Sequence, residues 1–246
     1  MSAFANALRG NTAADIPADK PAGDRQEHLD KIRAALQRPG AVITGIGSRE
    51  TPPSDLRLLT AIGKKAEENG MRGRSGGAGG ADLAFEKGFS DPKNIDVILP
   101  WKSFLPKGMT AADVTAYLGR ERPKYGPGAP VMLEGPYITK AREMAAEYHP
   151  AWDRCSDGAK SLHSRNMPQV LGMKLDSPTD VVIGWTVDGK ATGGTGQAIR
   201  VAQDLGIPVA NLKNADERKV VLETLGLADP AVEMQRAQAH SQGFGR

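Results

Sequence analysis

Five short strand-like segments, most of them apolar and leading into a stretch with helical spacing, constrain this chain more than any other feature. The first, residues 40–48 (GAVITGIGS), is partly β-branched and ends in glycines, the pattern of a buried strand. Residues 51–70 (TPPSDLRLLTAIGKKAEENG) follow. Pro53 stands near a helix start, Leu56, Leu58, Leu59 and Ile62 recur at helical spacing, and Gly70 closes the segment. Residues 71–77 (MRGRSGG) predict a second strand, 81–89 (ADLAFEKGF) a helix and 94–100 (NIDVILP) a third strand. The alternation resumes at 179–185 (TDVVIGW). A glycine turn and helix follow at 189–206 (GKATGGTGQAIRVAQDLG), then a strand at 207–212 (IPVANL) and a helix at 215–226 (ADERKVVLETLG).

Strand–helix alternation implies parallel strands joined by right-handed crossovers. The predicted fold is α/β: a Rossmann-like open parallel sheet with helices on both faces. Residues 101–160 break the rhythm and are too long for a simple connection. They read as an inserted segment or lid bordering the site, with one helix over residues 138–149. A further helix over 161–175 (SLHSRNMPQVLGMKL) is predicted to be interrupted or kinked at Pro168. The predicted organisation is a mobile segment over 1–28, one domain over 29–226 and a polar tail over 227–246, because both ends are polar with few large apolar residues.

Three glycine clusters sit where strands should feed helices: Gly45 and Gly47; Gly76, Gly77, Gly79 and Gly80; and Gly193, Gly194 and Gly196. Ligands of an open parallel sheet lie beyond the carboxyl ends of its strands. Glycine there admits close backbone approach, and helix N-termini favour anions. Tight turns also require glycine, so one cluster says little and three point to phosphate. No Gly-Lys-Ser/Thr follows the glycines, which excludes a Walker loop, and GIGSRE lacks the third glycine of a dinucleotide fingerprint.

The candidate phosphate- or nucleotide-binding residues are these glycines with Ser48, Arg49, Ser75, Asp82, Arg165, Asn166 and Thr195. Arg49 would hold phosphate or cap a turn. Asp82 would cap a helix or bond a ribose hydroxyl. Trp185 would stack on a base or pack in the core. A structural or surface role is the simpler reading of His163. Glu50 and Glu86 are further acidic residues near the motifs. No catalytic residue is assigned. The single cysteine, Cys155, cannot form a disulfide within the chain. It reads as an ordinary thiol, so no metal site is predicted, and no cofactor. Net charge is +3, mild enough to permit nucleotide or nucleic-acid partners without requiring them. No run approaches the ~20 apolar residues of a membrane span, and the first residues lack a signal-peptide pattern, so a cytoplasmic location and no membrane partner are expected.

In order, GIGSRE, SGGAGGADLAFEKG, HSRNMPQVLG and VVIGW followed by GGTGQAIRVAQDLGIPVANL resemble four motifs of the DNA-processing protein A (DprA) family and the superfamily it shares with the Lonely Guy proteins (SLOG). These are the G-[ST]-R strand end, the Ser-Gly-Gly-Ala-Arg-Gly-Ile-Asp turn, the Arg-Asn-Arg helix start and the last glycine turn. The resemblance covers residues 40–212. It implies an extended Rossmann-like fold and single-stranded DNA binding, with a role in recombination. The alternative is a nucleotide sensor or a nucleotide N-glycoside hydrolase or transferase, whose carboxylate would be Asp82, Glu50 or Glu134. It also implies a homo-oligomer, a dimer. The chain departs from the pattern at Gly79 (arginine in the family) and Met167 (the second arginine). Its last glycine turn has Gln197 and Arg200 nearby and lacks the catalytic glutamate of the Lonely Guy type.

Overall fold

The computed structural model describes residues 22–234. Its strands are β1 (Val42–Gly47), β2 (Arg72–Ser75), β3 (Ile95–Val97), β4 (Val181–Trp185) and β5 (Val209–Asn211). They form one sheet in the order β3-β2-β1-β4-β5, parallel at every pairing. The Rossmann-like α/β expectation holds. The strand order reverses direction between β1 and β4, and this switch point opens the crevice in which such sheets hold ligands.

The helices are α1 (Ala22–Gln37), α2 (Pro53–Glu68), α3 (Ala81–Lys87), α4 (Ala111–Leu118), α5 (Pro136–Glu147), α6 (Asp157–Leu171), α7 (Gly193–Asp204) and α8 (Ala215–Leu225). Two cores cover the two faces of the sheet. On one, Ile43, Val181, Ile183 and Trp185 meet Ile32 and Leu36 of α1, Leu58, Leu59 and Ile62 of α2, Phe85 of α3 and Val221 of α8. On the other, Ile46, Val182 and Val209 meet Ala141 and Ala145 of α5, Met167, Val170 and Leu171 of α6, and Ile199 and Ala202 of α7. Successive residues of β4 thus point to opposite cores, as strand geometry requires. Both faces are buried, which explains why β4 reads as a continuous apolar run.

Three local expectations are corrected. Residues 22–28 belong to α1, whose Ile32 and Leu36 are buried at helical spacing, so the helix starts inside the segment predicted to be mobile. The rest of that segment, residues 1–21, and the tail 235–246 lie outside the described residues. Second, α6 runs through Pro168 without interruption, from its Ser156 cap to Gly172. Third, the 101–160 segment holds α4 as well as α5. Thr110 and Asp113 form a reciprocal capping box at the start of α4, and Gly119 ends it in the left-handed conformation. Within this segment α5 packs on α6, and Val131 bridges to Ile98 beside β3. Among the described residues no helix is long and apolar enough to cross a membrane.

Arg218 of α8 clamps the end of the domain. Its Nε and Nη2 each donate to Asp229 at 2.7 Å, and Nη1 donates to Asp55 in the first turn of α2. The bidentate bond from Arg218 holds the Asp229 carboxyl below its ordinary pKa. A carboxylate with a depressed folded-state pKa stabilises the fold above its unfolded pKa. That contribution is lost as pH falls through the folded value. The urea midpoint should therefore fall more steeply in wild type than in Arg218→Met between about pH 4 and pH 2, and parallel curves would show that the clamp carries no pH-dependent stability.

Candidate functional site

Beyond the carboxyl ends of β1 and β4 lies a cleft of about 460 Å³. One wall is the turn after β1, with Gly47, Ser48, Arg49 and Glu50. The opposite wall is Thr186 and Val187 after β4 with the first turn of α7, Gly193 to Thr195. The floor is Asp82 of α3 with Arg165, Asn166 and Gln169 of α6, and His163 stands at the side. The sheet order brings these segments together across a long stretch of chain.

The floor is a buried ion pair. Arg165 Nη1 donates to Asp82 Oδ2 at 3.2 Å, with the two side chains 8% and 6% exposed. The Gly47 N–H donates to Asp82 Oδ1 at 3.2 Å, tying the floor to the end of β1. Burial pushes the Asp82 carboxyl above its ordinary pKa, against the pull of Arg165 and of the Gly47 and Ala78 N–H groups. Burial likewise lowers Arg165, against the pull of Asp82. Both ions remain incompletely solvated, and Arg165 Nε is buried with no partner among the described residues. Both residues line the cleft, so a polar ligand there would meet the pair at its exposed edge.

The α7 wall is an uncapped helix start. The hydroxyl of its N-cap residue, Thr192, donates to Asp188 Oδ1 at 3.0 Å instead of accepting from the helix. The N–H groups of the first turn therefore have no side-chain cap, and the residues that carry them line the cleft. Gly194 has open space where a Cβ would stand, with His163 Cε1 at 4.0 Å as its nearest neighbour.

Gln197, fully buried, organises the side of the site. Its Nε2 donates to Ala145 O at 2.7 Å, which turns Oε1 toward α6. Asn166 Nδ2 donates to that oxygen at 3.0 Å and to Gly194 O at 3.1 Å. His163 Nδ1 also lies 3.0 Å from it, so the imidazole donates there and keeps its lone pair on Nε2. Burial lowers the His163 pKa and favours the neutral ring. From the sequence alone Gln197 marks only the place where an acid is lacking. Its position four residues into a glycine-led helix was the available signal.

Of the predicted residues, Gly47, Ser48, Arg49, Asp82, Arg165, Asn166, Gly193, Gly194 and Thr195 line one cleft. Gly45, Ser75, Gly76, Gly77, Gly79, Gly80 and Gly196 lie outside its lining. The glycine-rich turn is closed by the protein itself. A Cβ on Gly76 would overlap the Arg165 guanidinium and lie 2.7 Å from Asp82 Oδ2. One on Gly80 would stand 2.6 Å from Ser48 O. Ser75 Oγ donates to Asp82 O at 3.0 Å and accepts from the Gly77 N–H at 3.3 Å. The turn thus seats the ion pair and the β1 turn.

Trp185 is 5% exposed in the core and does not reach the cleft. Glu50 is exposed at the rim, Glu134 is exposed and outside the lining, and Glu86 is buried in a bidentate pair with Arg122 at 2.7 and 2.5 Å. Of the 101–160 segment, Ala159 alone lines the cleft. Comparison of the chain with protein-family models, with curated proteins and with solved structures gives no match.

Proposed function

We propose that this cleft binds a nucleoside phosphate. The observation that carries the reading is the meeting, in one concave site at the sheet's switch point, of an uncapped helix start and a buried, under-solvated ion pair. Helix starts at such points receive phosphate. Arg49 on the facing wall adds an exposed cation. A volume of about 460 Å³ suits a small molecule, whose usual pockets span roughly 300–1,000 Å³. The DprA and Lonely Guy resemblance implies the same ligand chemistry. In this reading the phosphate sits at Gly193 to Thr195 and the sugar over Asp82. If the bound nucleotide is cleaved at its N-glycosidic bond, Asp82 is the carboxylate placed to stabilise positive charge developing on the ribose.

Single-stranded DNA, the ligand the resemblance puts first, ranks second. Sequence-tolerant strand binding uses aromatic platforms, and among the described residues no Phe, Tyr or Trp lines the cleft. Calorimetric titration with AMP, ADP-ribose and inorganic phosphate, beside polarisation with a labelled oligonucleotide, separates the two. AMP should bind once per chain and displace any bound oligonucleotide. Oligonucleotide binding that AMP does not displace and that weakens steeply with salt would assign the DNA reading instead. Binding of none of these would overturn both.

A Cβ at Gly194 would have only His163 Cε1, at 4.0 Å, near it among the described residues, and a longer side chain there would enter the cleft that Gly194 lines. Gly194→Leu should therefore keep its melting temperature and lose at least about tenfold in AMP affinity, roughly 1.4 kcal/mol. Unchanged affinity would remove the α7 turn from the site.

A further inference from the structure

Beside the cleft, the chain from the end of α5 through α6 gathers three metal-ligating side chains that no reading of the nucleotide site uses. His149 follows α5, Cys155 follows a short 3-10 turn at Trp152–Arg154, and His163 lies on α6. One ligand atom from each lies within 4.8 Å of the others, and all three residues are half-buried. Cys155 Sγ is 3.7 Å from His149 Nδ1 and 3.8 Å from Nε2, and the two imidazole rings are 4.3 Å apart between centroids.

We propose that His149, Cys155 and His163 form a binding site for a zinc-class divalent cation. The spacing fits the ion. With Zn–S near 2.3 Å and Zn–N near 2.0–2.1 Å, the sulfur-to-nitrogen edge of a tetrahedron is about 3.6 Å. The Cys155–His149 separation already matches it. The donor set fits as well, since one thiolate and two imidazoles suit a borderline-soft ion better than magnesium or calcium.

The protonation pattern is prepared for a metal. Gln197 fixes His163 as the Nδ1–H tautomer, which leaves Nε2 free to ligate. This is the outer-shell arrangement that orients metal-bound histidines. His149 Nδ1, 3.7 Å from the thiol, accepts from the Ala151 N–H at 3.2 Å, and ligation through this nitrogen would replace that long hydrogen bond. Cys155 donates weakly to Ala151 O at 3.6 Å and would release its proton to solvent on binding. No spacing in the sequence announces the site, because His-x5-Cys-x7-His matches no standard zinc signature. The turn from α5 into α6 brings the three together.

Three protein ligands leave the fourth tetrahedral position for water or an anion. His163 lines the cleft, so a cation held there borders the site described above. The inference does not rest on nucleotide binding, because metal uptake is read from the three ligands alone.

The test is titration of the full, metal-free chain with Co²⁺, followed by absorbance, then competition with Zn²⁺. One Co²⁺ per chain should bind with a near-ultraviolet thiolate charge-transfer band and the strong visible bands of tetrahedral cobalt, and Zn²⁺ should displace it. Cys155→Ser should lose the charge-transfer band, and His149→Ala should weaken binding by more than about tenfold. Both variants should keep the far-ultraviolet circular dichroism of the parent. Absence of the charge-transfer band in the wild-type protein overturns the proposal without recourse to any variant. So does a band that survives in folded His149→Ala with unchanged affinity.

Discussion

Arg165→Met should lower the unfolding free energy by about 3–5 kcal/mol at neutral pH, the range for stripping one partner from a buried ion pair. The variant leaves Asp82, 4% exposed, with the Gly47 and Ala78 N–H groups as its remaining support. Burial already pushes its carboxyl upward, and removal of the guanidinium pushes it further. A carboxyl whose folded-state pKa is raised binds more protons folded than unfolded, so stability rises as pH falls toward the unfolded pKa. Urea unfolding of Arg165→Met should thus recover part of its loss on going from neutral to mildly acidic pH. The double variant Asp82→Asn/Arg165→Met removes both charges and should return to within about 1 kcal/mol of wild type. Neither variant should bind AMP, because the floor of the cleft is gone in both. A loss under about 1 kcal/mol in the single variant would mean that the pair does not hold the floor together.

What the sequence disclosed and what it hid follow from the range of the forces involved. Four of the five strands were legible because burial on both faces leaves apolar runs such as VVIGW, whereas β2 (RGRS) was marked by its place before a glycine turn. Their helices were legible from spacing, as in Leu58, Leu59 and Ile62. Two helices were passed over although local signals existed. In α1, Ile32 and Leu36 stand at helical spacing, but the surrounding Ala, Asp and Pro composition suggested mobility. In α4 the Thr110–Asp113 capping box and Gly119 marked both ends. The glycine turns were legible as places without side chains, but not as to what fills the space. At Gly194 the space is open to the cleft, whereas at Gly76 the chain's own Arg165 fills it from residues far along the sequence. The Gln197 hub and the His149–Cys155–His163 cluster were hidden for the same reason. Each joins groups on α5, α6, α7 or the turn between α5 and α6 that tertiary packing brings together, not any spacing along one element.

Gly45 provides the sharpest separation of packing glycine from ligand glycine. It lies in β1 within the predicted phosphate-binding set, yet a Cβ there would overlap Phe85 Cγ and Cδ1 and stand 2.7 Å from Phe85 Cβ. The Phe85 ring is fully buried and meets Phe89 edge-on at 5.3 Å, so it has no free volume to retreat into. Gly45→Ala gains up to about 1 kcal/mol from lower unfolded-state entropy, but overpacking in a close-packed core costs about 3 kcal/mol. A net loss of about 2 kcal/mol or more is therefore expected in urea unfolding. The damage is steric and lies on the core face away from the cleft, so AMP affinity of the folded variant should stay within about threefold of wild type. Shortening the ring in Gly45→Ala/Phe85→Leu should recover part of the loss relative to the sum of the two single variants. That positive coupling is the signature of relieved overlap. A Gly45→Ala protein of wild-type stability that no longer binds AMP would reverse the assignment and return Gly45 to the ligand's side of the strand.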